Sequence, residues 1–215
     1  MTMLTKHFLF DFDGTLVDSM PTYVQTMLRI LDMEDVPYPQ DVVKIITPLG
    51  YAGTAKYFRD LGVKMPVEKM LEEMAAYAVD AYTHRIPAKA HVTEVLQELK
   101  KRGCDLSILT ASPHQSLDPC LKRLGLDGLF THIWSCDDFG TTKADPDIYI
   151  RAAEKIGAPA EAVLFLDDNV NACKTAKEAG MMVCGVYDDS SADCTEEIRQ
   201  VADSYIDDFS QLLAL

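Results

Sequence analysis

Hydrophobic and polar positions follow two different patterns along the chain. Between residues 17 and 85 the apolar residues recur at helical spacing, and prolines or the Pro48-Leu49-Gly50 turn separate the groups. This pattern predicts helices without strands. From residue 87 onward, short apolar runs alternate with longer amphipathic segments. The second pattern predicts strands that alternate with helices, and therefore a parallel α/β sheet.

Several short apolar runs fit the pattern of a strand. They cover residues 6–10, 105–109, 132–135, 163–166, 182–186 and 204–206. The first run ends abruptly at Asp11 and is followed by the helical block, so it has no nearby partner for parallel pairing. The simplest arrangement joins it to the later strands. The sequence thus predicts an α/β core of residues 1–15 and 87–215, with residues 16–86 inserted as an all-helical domain.

Composition and charge exclude several classes of protein. The chain has 215 residues, of which 48% are hydrophobic and 25% charged, an ordinary balance for a globular protein. It carries 20 Lys and Arg against 34 Asp and Glu, a formal charge of −14. So acidic a surface repels polyphosphate and anionic lipid, and we expect neither a nucleic-acid partner nor a membrane partner. No apolar run approaches the roughly 18 residues of a transmembrane helix.

Cysteine usage and the N-terminal sequence both favour a cytoplasmic protein. The 6 cysteines are scattered and none forms a CxxC pair, so neither a disulfide framework nor a zinc site is indicated. Residues 1–7 lack the basic and apolar regions of a secretory signal. We therefore expect free thiols in a reducing compartment.

Residues that are candidates for catalysis or ligand binding follow the predicted strands. They are Asp11 and Asp13 after residues 6–10, Thr110 and Ser112, with Ala111 between them, after 105–109, Asp167 and Asp168 after 163–166, and Lys143 in a polar loop before a helix. Open α/β sheets bind ligands at the carboxyl ends of their strands. If these strands are neighbours, carboxylates, hydroxyls and an ammonium meet at one edge of the sheet.

The chemistry of such a cluster is restricted. Carboxylates that lie close together cannot all ionise without a cation, and oxygen ligands of this kind suit Mg²⁺. Hydroxyls, backbone N–H groups and a lysine can hold phosphate oxygens, and a carboxylate can attack phosphorus. Each segment alone also has an ordinary explanation as a turn, a helix cap, a surface lysine or an acidic helix N-terminus.

Taken together, the motifs resemble those of the haloacid dehalogenase-like (HAD) superfamily. Asp11–Ser19 (DFDGTLVDS) is similar to its first motif, and Leu109–Ser112 (LTAS) to the second. Lys143–Tyr149 (KADPDIY) is similar to the third, and Phe165–Asn169 (FLDDN) to the acidic fourth. The resemblance implies a Rossmann-like three-layer core, with the insertion 16–86 as the helical cap of the branch that contains phosphoglycolate phosphatase and β-phosphoglucomutase.

The resemblance also implies a role for each acidic residue. Asp11 would be the nucleophile, and Asp13 would protonate the leaving oxygen and then take a proton from water. Mg²⁺ would be held by the Asp11 side chain, the Asp13 backbone carbonyl and Asp168. Asp167 would lie behind these ligands, near Lys143 or a metal-bound water.

Further residues would contact the substrate. Thr110, Lys143 and the amides of Phe12 and Ala111 would hold the transferring oxygens, with Ser112 beside them. The loop around residues 47–54 corresponds in position to the substrate loop of the cap. The candidates for substrate contact are Tyr51 and Thr54 in this loop and Lys56 just after it. An ordinary turn between helices would give the same sequence.

The fourth motif departs from the sequence pattern G-D-S-x-x-D that many members of the superfamily carry. Asp167 replaces the glycine, Asn169 the serine and Ala172 the final aspartate. Which of Asp167 and Asp168 touches the metal is therefore left open.

The resemblance implies a Mg²⁺-dependent phosphatase that acts on a small phosphorylated metabolite through an aspartyl-phosphate. Dehalogenases of the superfamily lack the second aspartate, so Asp13 favours phosphoryl transfer. A sugar phosphomutase uses the same motifs and stays an alternative. A non-catalytic phospho-acceptor module would gather similar residues, but its nucleophile would not lie on the first strand.

Overall fold

A computed structural model describes residues 5–215, apart from the side chain of Pro48. The expectation that the N-terminus lacks a signal rests in part on residues 1–4, which lie outside this range. The described chain contains a six-stranded sheet whose pairs are all parallel, in the order β3-β2-β1-β4-β5-β6. The strands are β1 His7–Phe10, β2 Asp105–Thr110, β3 His132–Ser135, β4 Val163–Asp167, β5 Met182–Val186 and β6 Ser204–Ile206.

The strand register brings the predicted polar segments to one edge of the sheet. Phe10, the last residue of β1, pairs with Ile108 of β2 and Leu166 of β4. All three strands run in the same direction, so the residues that follow them leave the sheet side by side. This places the polar ends of β1, β2 and β4 next to one another.

Both faces of the sheet are covered, as expected for an all-parallel sheet. On one face, Leu9 and Phe165 share a buried cluster with Tyr149 and Ile198. On the other face, the ring of Phe10 lies 6.3 Å from Phe130 and 6.1 Å from Phe209. The helices of this part are α5 Val92–Lys101, α6 His114–Leu124, α7 Asp147–Ile156, α8 Val170–Glu178 and α9 Thr195–Val201. The predicted three-layer α/β core is confirmed.

The inserted segment forms a helical unit with its own apolar core. Ser19–Ile86 forms one compact unit, and the described residues up to Asp18 form another together with Pro87–Leu215. The helices of the inserted segment are α1 Met20–Met33, α2 Val42–Ile46, α3 Gly50–Leu61 and α4 Val67–His84, with a 3-10 turn at Thr47–Leu49. Their buried side chains include Met27, Leu31, Ile46, Phe58, Met70 and Met74. Since the apolar residues pack at helical spacing, the segment forms helices, as its pattern predicts.

The core unit closes on itself where the inserted segment leaves and returns. Val17 and Ala88 form an antiparallel bridge, and the amide of Asp18 donates to the carbonyl of Pro87 at 3.0 Å. The two ends of the insertion therefore leave the core at adjacent backbone positions. The predicted boundary at residue 16 lies slightly before this bridge.

Within residues 5–215, none of the helices combines the length and apolar character required to cross a bilayer.

Candidate active site

The turn after β1 is shaped by backbone hydrogen bonds. The amide of Asp11 donates to the carbonyl of Leu166 at 2.8 Å and carries the β1–β4 pairing one step beyond the strand. The amide of Leu16 donates back to Phe12 at 2.8 Å. Gly14 has a φ of +76°, and a Cβ built there would lie 2.7 Å from the carboxylate of Asp168. A glycine is needed here because the carboxylate packs directly against the turn.

A buried group of carboxylates lies at the end of β1 and β4. Asp11, Asp167 and Asp168 each offer an oxygen, and these oxygens lie within 4.8 Å of one another. The Nζ of Lys143 donates to Asp11 and, at 2.8 Å, to Asp167. Four of the predicted site residues are therefore in one place.

Lys143 is held in position by its own loop. The hydroxyl of Tyr149, on α7, donates to the backbone carbonyl of Lys143 at 3.2 Å. The ammonium lies 5.5 Å from the ring centroid of Phe165, a buried residue of β4. The loop thus points the lysine at the carboxylates, and the aromatic ring beneath it favours a cation there.

Asp167, the last residue of β4, and Asp168, which follows it, have different surroundings. Asp167 accepts from Lys143 and from the amide of Asn169, the latter at 2.7 Å. Asp168 accepts from the Thr15 hydroxyl at a longer 3.3 Å. Asp167 is thus occupied by strong donors, whereas Asp168 faces the turn at Gly14 with a weaker one.

The remaining predicted residues of the core lie around Asp13. The hydroxyl of Ser112 donates to Asp13 at 2.5 Å, and the amide of Ser112 donates to the hydroxyl oxygen of Thr110 at 3.0 Å. Thr110 and Phe12 are buried, whereas Ala111 is exposed. Because β2 lies beside β1 in the sheet, this second group of polar side chains adjoins the first.

The electrostatics of the cluster favour a bound cation. Burial raises the pKa of Asp11 from 3.8 to about 8, and the charges of Asp167 and Asp13 add to this against the opposing effect of Lys143. Burial also raises the pKa of Asp168 well above its ordinary value, with repulsion from Asp167 and Asp11. Burial alone would lower the pKa of Lys143, but the charges of Asp11 and Asp167 outweigh it and raise that pKa.

These residues fit a hard divalent cation. Buried carboxylates that repel one another are stabilised together only by positive charge, and Lys143 alone is outnumbered by them. Oxygen donors without nitrogen or sulfur ligands suit Mg²⁺. The Asp168 carboxylate packs against the turn at Gly14, directly after Asp13.

Three other predicted residues lie in the helical unit. Tyr51 is partly buried and stacks on Tyr23 with a centroid distance of 5.2 Å. Lys56 is exposed on α3. Thr54 is fully buried, and its hydroxyl donates to the Ile46 carbonyl at 3.2 Å. This burial argues against direct contact between Thr54 and a substrate.

Sequence reasoning did not single out three residues around Gly14. Thr15 binds Asp168, Lys89 binds the Gly14 carbonyl, and Lys89 also pairs with Asp188. Thr15 lies inside the first motif and could have been found there. Lys89 and Asp188 are far from the motifs along the chain, and the sequence contains no signal that links them to the site.

The raised pKa of Asp11 predicts how the stability of the metal-free protein depends on pH. The folded state holds a proton on Asp11 more tightly than the unfolded chain, so stability is lost as pH rises from about 4 to 8. Asp203 and Asp208 have lowered pKa values, so the stability that they contribute changes only at pH values below this range. We expect Tm in EDTA to fall over this range.

The matched control for this dependence is Asp11→Asn, which removes the titrating group and should flatten part of the slope. Differential scanning calorimetry of both proteins from pH 4 to pH 8 measures the difference. Parallel pH profiles would contradict the assignment of the slope to Asp11.

Comparison with known proteins assigns the chain to a family. The family model described as haloacid dehalogenase-like hydrolase matches residues 5–180. The chain belongs to this haloacid dehalogenase-like hydrolase family.

Similar proteins agree with this assignment. A phosphorylated carbohydrates phosphatase of Thermotoga maritima is 25% identical over 174 residues, which cover 80% of this chain and 81% of that protein. A phosphoglycolate phosphatase of Psychrobacter arcticus is 28% identical, over an alignment that covers 95% of this chain and 93% of that protein. A solved Thermotoga maritima structure, provisionally assigned as a beta-phosphoglucomutase, has a TM-score of 0.82 at 22% identity and covers 97% of each chain. This last likeness shows the fold alone.

Proposed function

We propose that this protein hydrolyses a small phosphomonoester with bound Mg²⁺, through an aspartyl-phosphate on Asp11. The enzyme is a phosphatase, since it belongs to a hydrolase family and the relatives that match most of the chain are phosphatases. The observation that supports the mechanism is the buried cluster of carboxylates. Asp11, Asp167 and Asp168 lie close together there, and the ammonium of Lys143 binds two of them.

Asp11 is proposed as the nucleophile. Its carboxylate oxygen attacks phosphorus, the bond to the leaving alkoxide breaks, and a second displacement by water releases phosphate and restores the carboxylate. Lys143 contacts Asp11 directly and would balance the charge of the transferring group. Thr110, with Lys143 and the amides of Phe12 and Ala111, is proposed to hold the phosphoryl oxygens.

Asp13 is proposed as the general acid and then the general base. It would donate a proton to the leaving oxygen and later take one from the attacking water. The Ser112 hydroxyl donates to Asp13 at 2.5 Å, and this contact fixes the carboxyl. Ser112 thereby serves the reaction by orienting Asp13.

Mg²⁺ is proposed to bind at Asp11, Asp168 and the backbone carbonyl of Asp13. When bound, it neutralises negative charge on the phosphoryl oxygens and the nucleophile. Asp168 is favoured over Asp167 as the direct ligand because Asp167 already accepts strong hydrogen bonds from Lys143 and Asn169. Asp167 is proposed to orient Lys143.

The substrate is proposed to be a small phosphorylated metabolite. The formal charge of −14 disfavours polyanionic polymers. Residues 16–86 are proposed to act as the cap of the family, and the exposed Lys56 and half-buried Tyr51 as residues that choose the substrate. Thr54 is not included, since its hydroxyl is bound inside the helical unit.

The experiment is an assay of the purified chain with p-nitrophenyl phosphate, in Mg²⁺ and in EDTA. Phosphate release that requires Mg²⁺ supports the proposal, and its absence with every ester of a phosphorylated-metabolite panel contradicts it. Conversion of a hexose 1-phosphate to the 6-phosphate with little free phosphate would identify a mutase. A stable phosphoprotein without turnover would identify a phospho-acceptor module.

A further inference from the structure

The ammonium of Lys89 joins parts of the core unit that are distant along the chain. Its Nζ donates to the Gly14 carbonyl at 2.6 Å, to the Tyr187 carbonyl at 2.5 Å and to the carboxylate of Asp188 at 3.0 Å. An ammonium has three N–H donors, so these contacts use all of them. Lys89 therefore has no donor left for a phosphate group.

The backbone of Lys89 is fixed beside the first motif. Its amide donates to the Leu16 carbonyl at 3.0 Å, and the preceding residue, Ala88, bridges Val17. The side chain thus runs from the backbone beside Leu16 to Gly14 and onward to the residues that follow β5. This arrangement holds the turn after β1 against β5.

The turn that Lys89 holds is the one against which Asp168 packs. A Cβ at Gly14 would lie 2.7 Å from the Asp168 carboxylate. Asp13, whose side chain is proposed as acid and base, precedes Gly14 directly. A displacement of the Gly14 carbonyl would therefore move both Asp13 and the surface that Asp168 contacts.

Asp188 has its own hydrogen bonds, although its charge is close enough to contribute to the raised pKa of Asp168. It accepts from the amide of Ser190 at 3.0 Å and from the Ser190 hydroxyl at 2.6 Å, and its other oxygen accepts from Lys89. Asp188 is also absent from the group of mutually close ligand atoms at Asp11, Asp167 and Asp168 within the described chain. Its hydrogen bonds connect Lys89 to the segment that follows β5.

We propose that Lys89 is a positioning residue: by holding the Gly14 carbonyl against the end of β5, it sets the geometry of the Mg²⁺ site and of Asp13. This rests on the proposed function only in naming the metal and the reaction. Side chains that orient ligands from outside the site commonly change metal affinity or activity about 10–100-fold when they are replaced.

The test is Mg²⁺ binding to Lys89→Met, measured by titration calorimetry on protein shown to be folded by circular dichroism. Removal of a nearby cation should by itself tighten Mg²⁺ binding, whereas loss of position should weaken it. The two effects have opposite signs, so the direction of the change decides between them. We expect the Kd to rise about 10-fold. An unchanged or lower Kd overturns the proposal.

A kinetic measurement adds a second readout. With p-nitrophenyl phosphate at saturating Mg²⁺, Lys89→Met should lower kcat about 10-fold and leave the substrate KM within about twofold, since Lys89 has no N–H free for the substrate. A large rise in KM with unchanged kcat would instead make Lys89 a substrate ligand and overturn the assignment. Lys122→Met, at an exposed lysine of α6, is the matched control and should match wild type.

Asp188→Asn separates positioning from charge balance. If Lys89 acts through Gly14, Lys89→Met should still weaken Mg²⁺ binding about 10-fold in the Asp188→Asn background. Restoration of wild-type affinity in the double variant would show that Lys89 only neutralises Asp188, and would overturn the proposal.

If Lys89→Met does not fold, Lys89→Gln replaces it, because the shorter amide cannot reach all three acceptors. Wild-type Kd in that variant is the contradicting result.

Failure of this inference and of the proposed function can be told apart. A wild-type protein that binds Mg²⁺ but hydrolyses no ester contradicts the function alone, and the calorimetry still tests Lys89. A wild-type protein that binds no Mg²⁺ overturns both.

Discussion

Replacing Asp11 by Asn should lower kcat for any phosphate ester by at least about 10⁴-fold. The substitution keeps the size of the side chain and removes the oxygen that attacks phosphorus. It also removes a hydrogen-bond partner of Lys143, which keeps Asp167 as its other acceptor. The measurement is steady-state release of phosphate from p-nitrophenyl phosphate in Mg²⁺.

Stability provides the control for this prediction. Because burial raises the pKa of Asp11 to about 8, its charge is unfavourable in the metal-free fold at neutral pH. Asp11→Asn should therefore stay folded, with a Tm in EDTA at pH 8 no lower than that of wild type. Asp127→Asn, at an exposed turn, removes a carboxylate elsewhere and should keep full activity. Equal rates for Asp11→Asn and wild type would reject Asp11 as the nucleophile.

Asp168→Asn should separate activity from stability. We expect activity at a fixed Mg²⁺ concentration to fall by about 10³-fold, because a direct ligand is lost. The metal-free variant should nevertheless be more stable than wild type at pH 8, since burial and neighbouring acids raise the pKa of Asp168 and disfavour its charge. For a chain of this size, each kcal/mol gained moves Tm by about 2–4 °C.

The response to Mg²⁺ completes the comparison. Mg²⁺ should raise the Tm of wild type by binding only the folded state, and should raise that of Asp168→Asn far less. In EDTA, Asp167→Asn should lower the Tm, in contrast to Asp168→Asn, because it breaks a buried ion pair with Lys143. A thermal shift assay of the three proteins with and without Mg²⁺ measures this. Identical Mg²⁺ shifts in wild type and Asp168→Asn would exclude Asp168 as a ligand.

Much of the fold followed from local patterns. The short run before Asp11 reads as a buried strand because its residues are apolar and it ends in a turn signal, and it becomes β1 at the centre of the sheet. Edge strands are also found where the sequence places them, at His132–Ser135 and Ser204–Ile206. Parallel pairing brings strand ends together whatever lies between them along the chain, so the meeting of Asp11 with Asp167 could be expected.

Other features depend on contacts that no local pattern records. Lys89 reaches Gly14 and Tyr187 across long stretches of sequence, and a lysine before a helix resembles any surface lysine. The burial of Thr54 could not be seen either, because a threonine on α3 can face the helical core or the solvent with the same neighbours in sequence. The different hydrogen bonds of Asp167 and Asp168 likewise needed coordinates.

The backbone bridge between Val17 and Ala88 has a consequence for how this enzyme can change over evolution. Since the chain of the catalytic core passes from residue 18 to residue 87 at hydrogen-bond distance, whatever is spliced between them does not need to span a gap. Insertions are tolerated best at such closely spaced ends. New modules of other sizes could be exchanged at this junction, while the sheet and its carboxylates keep their places.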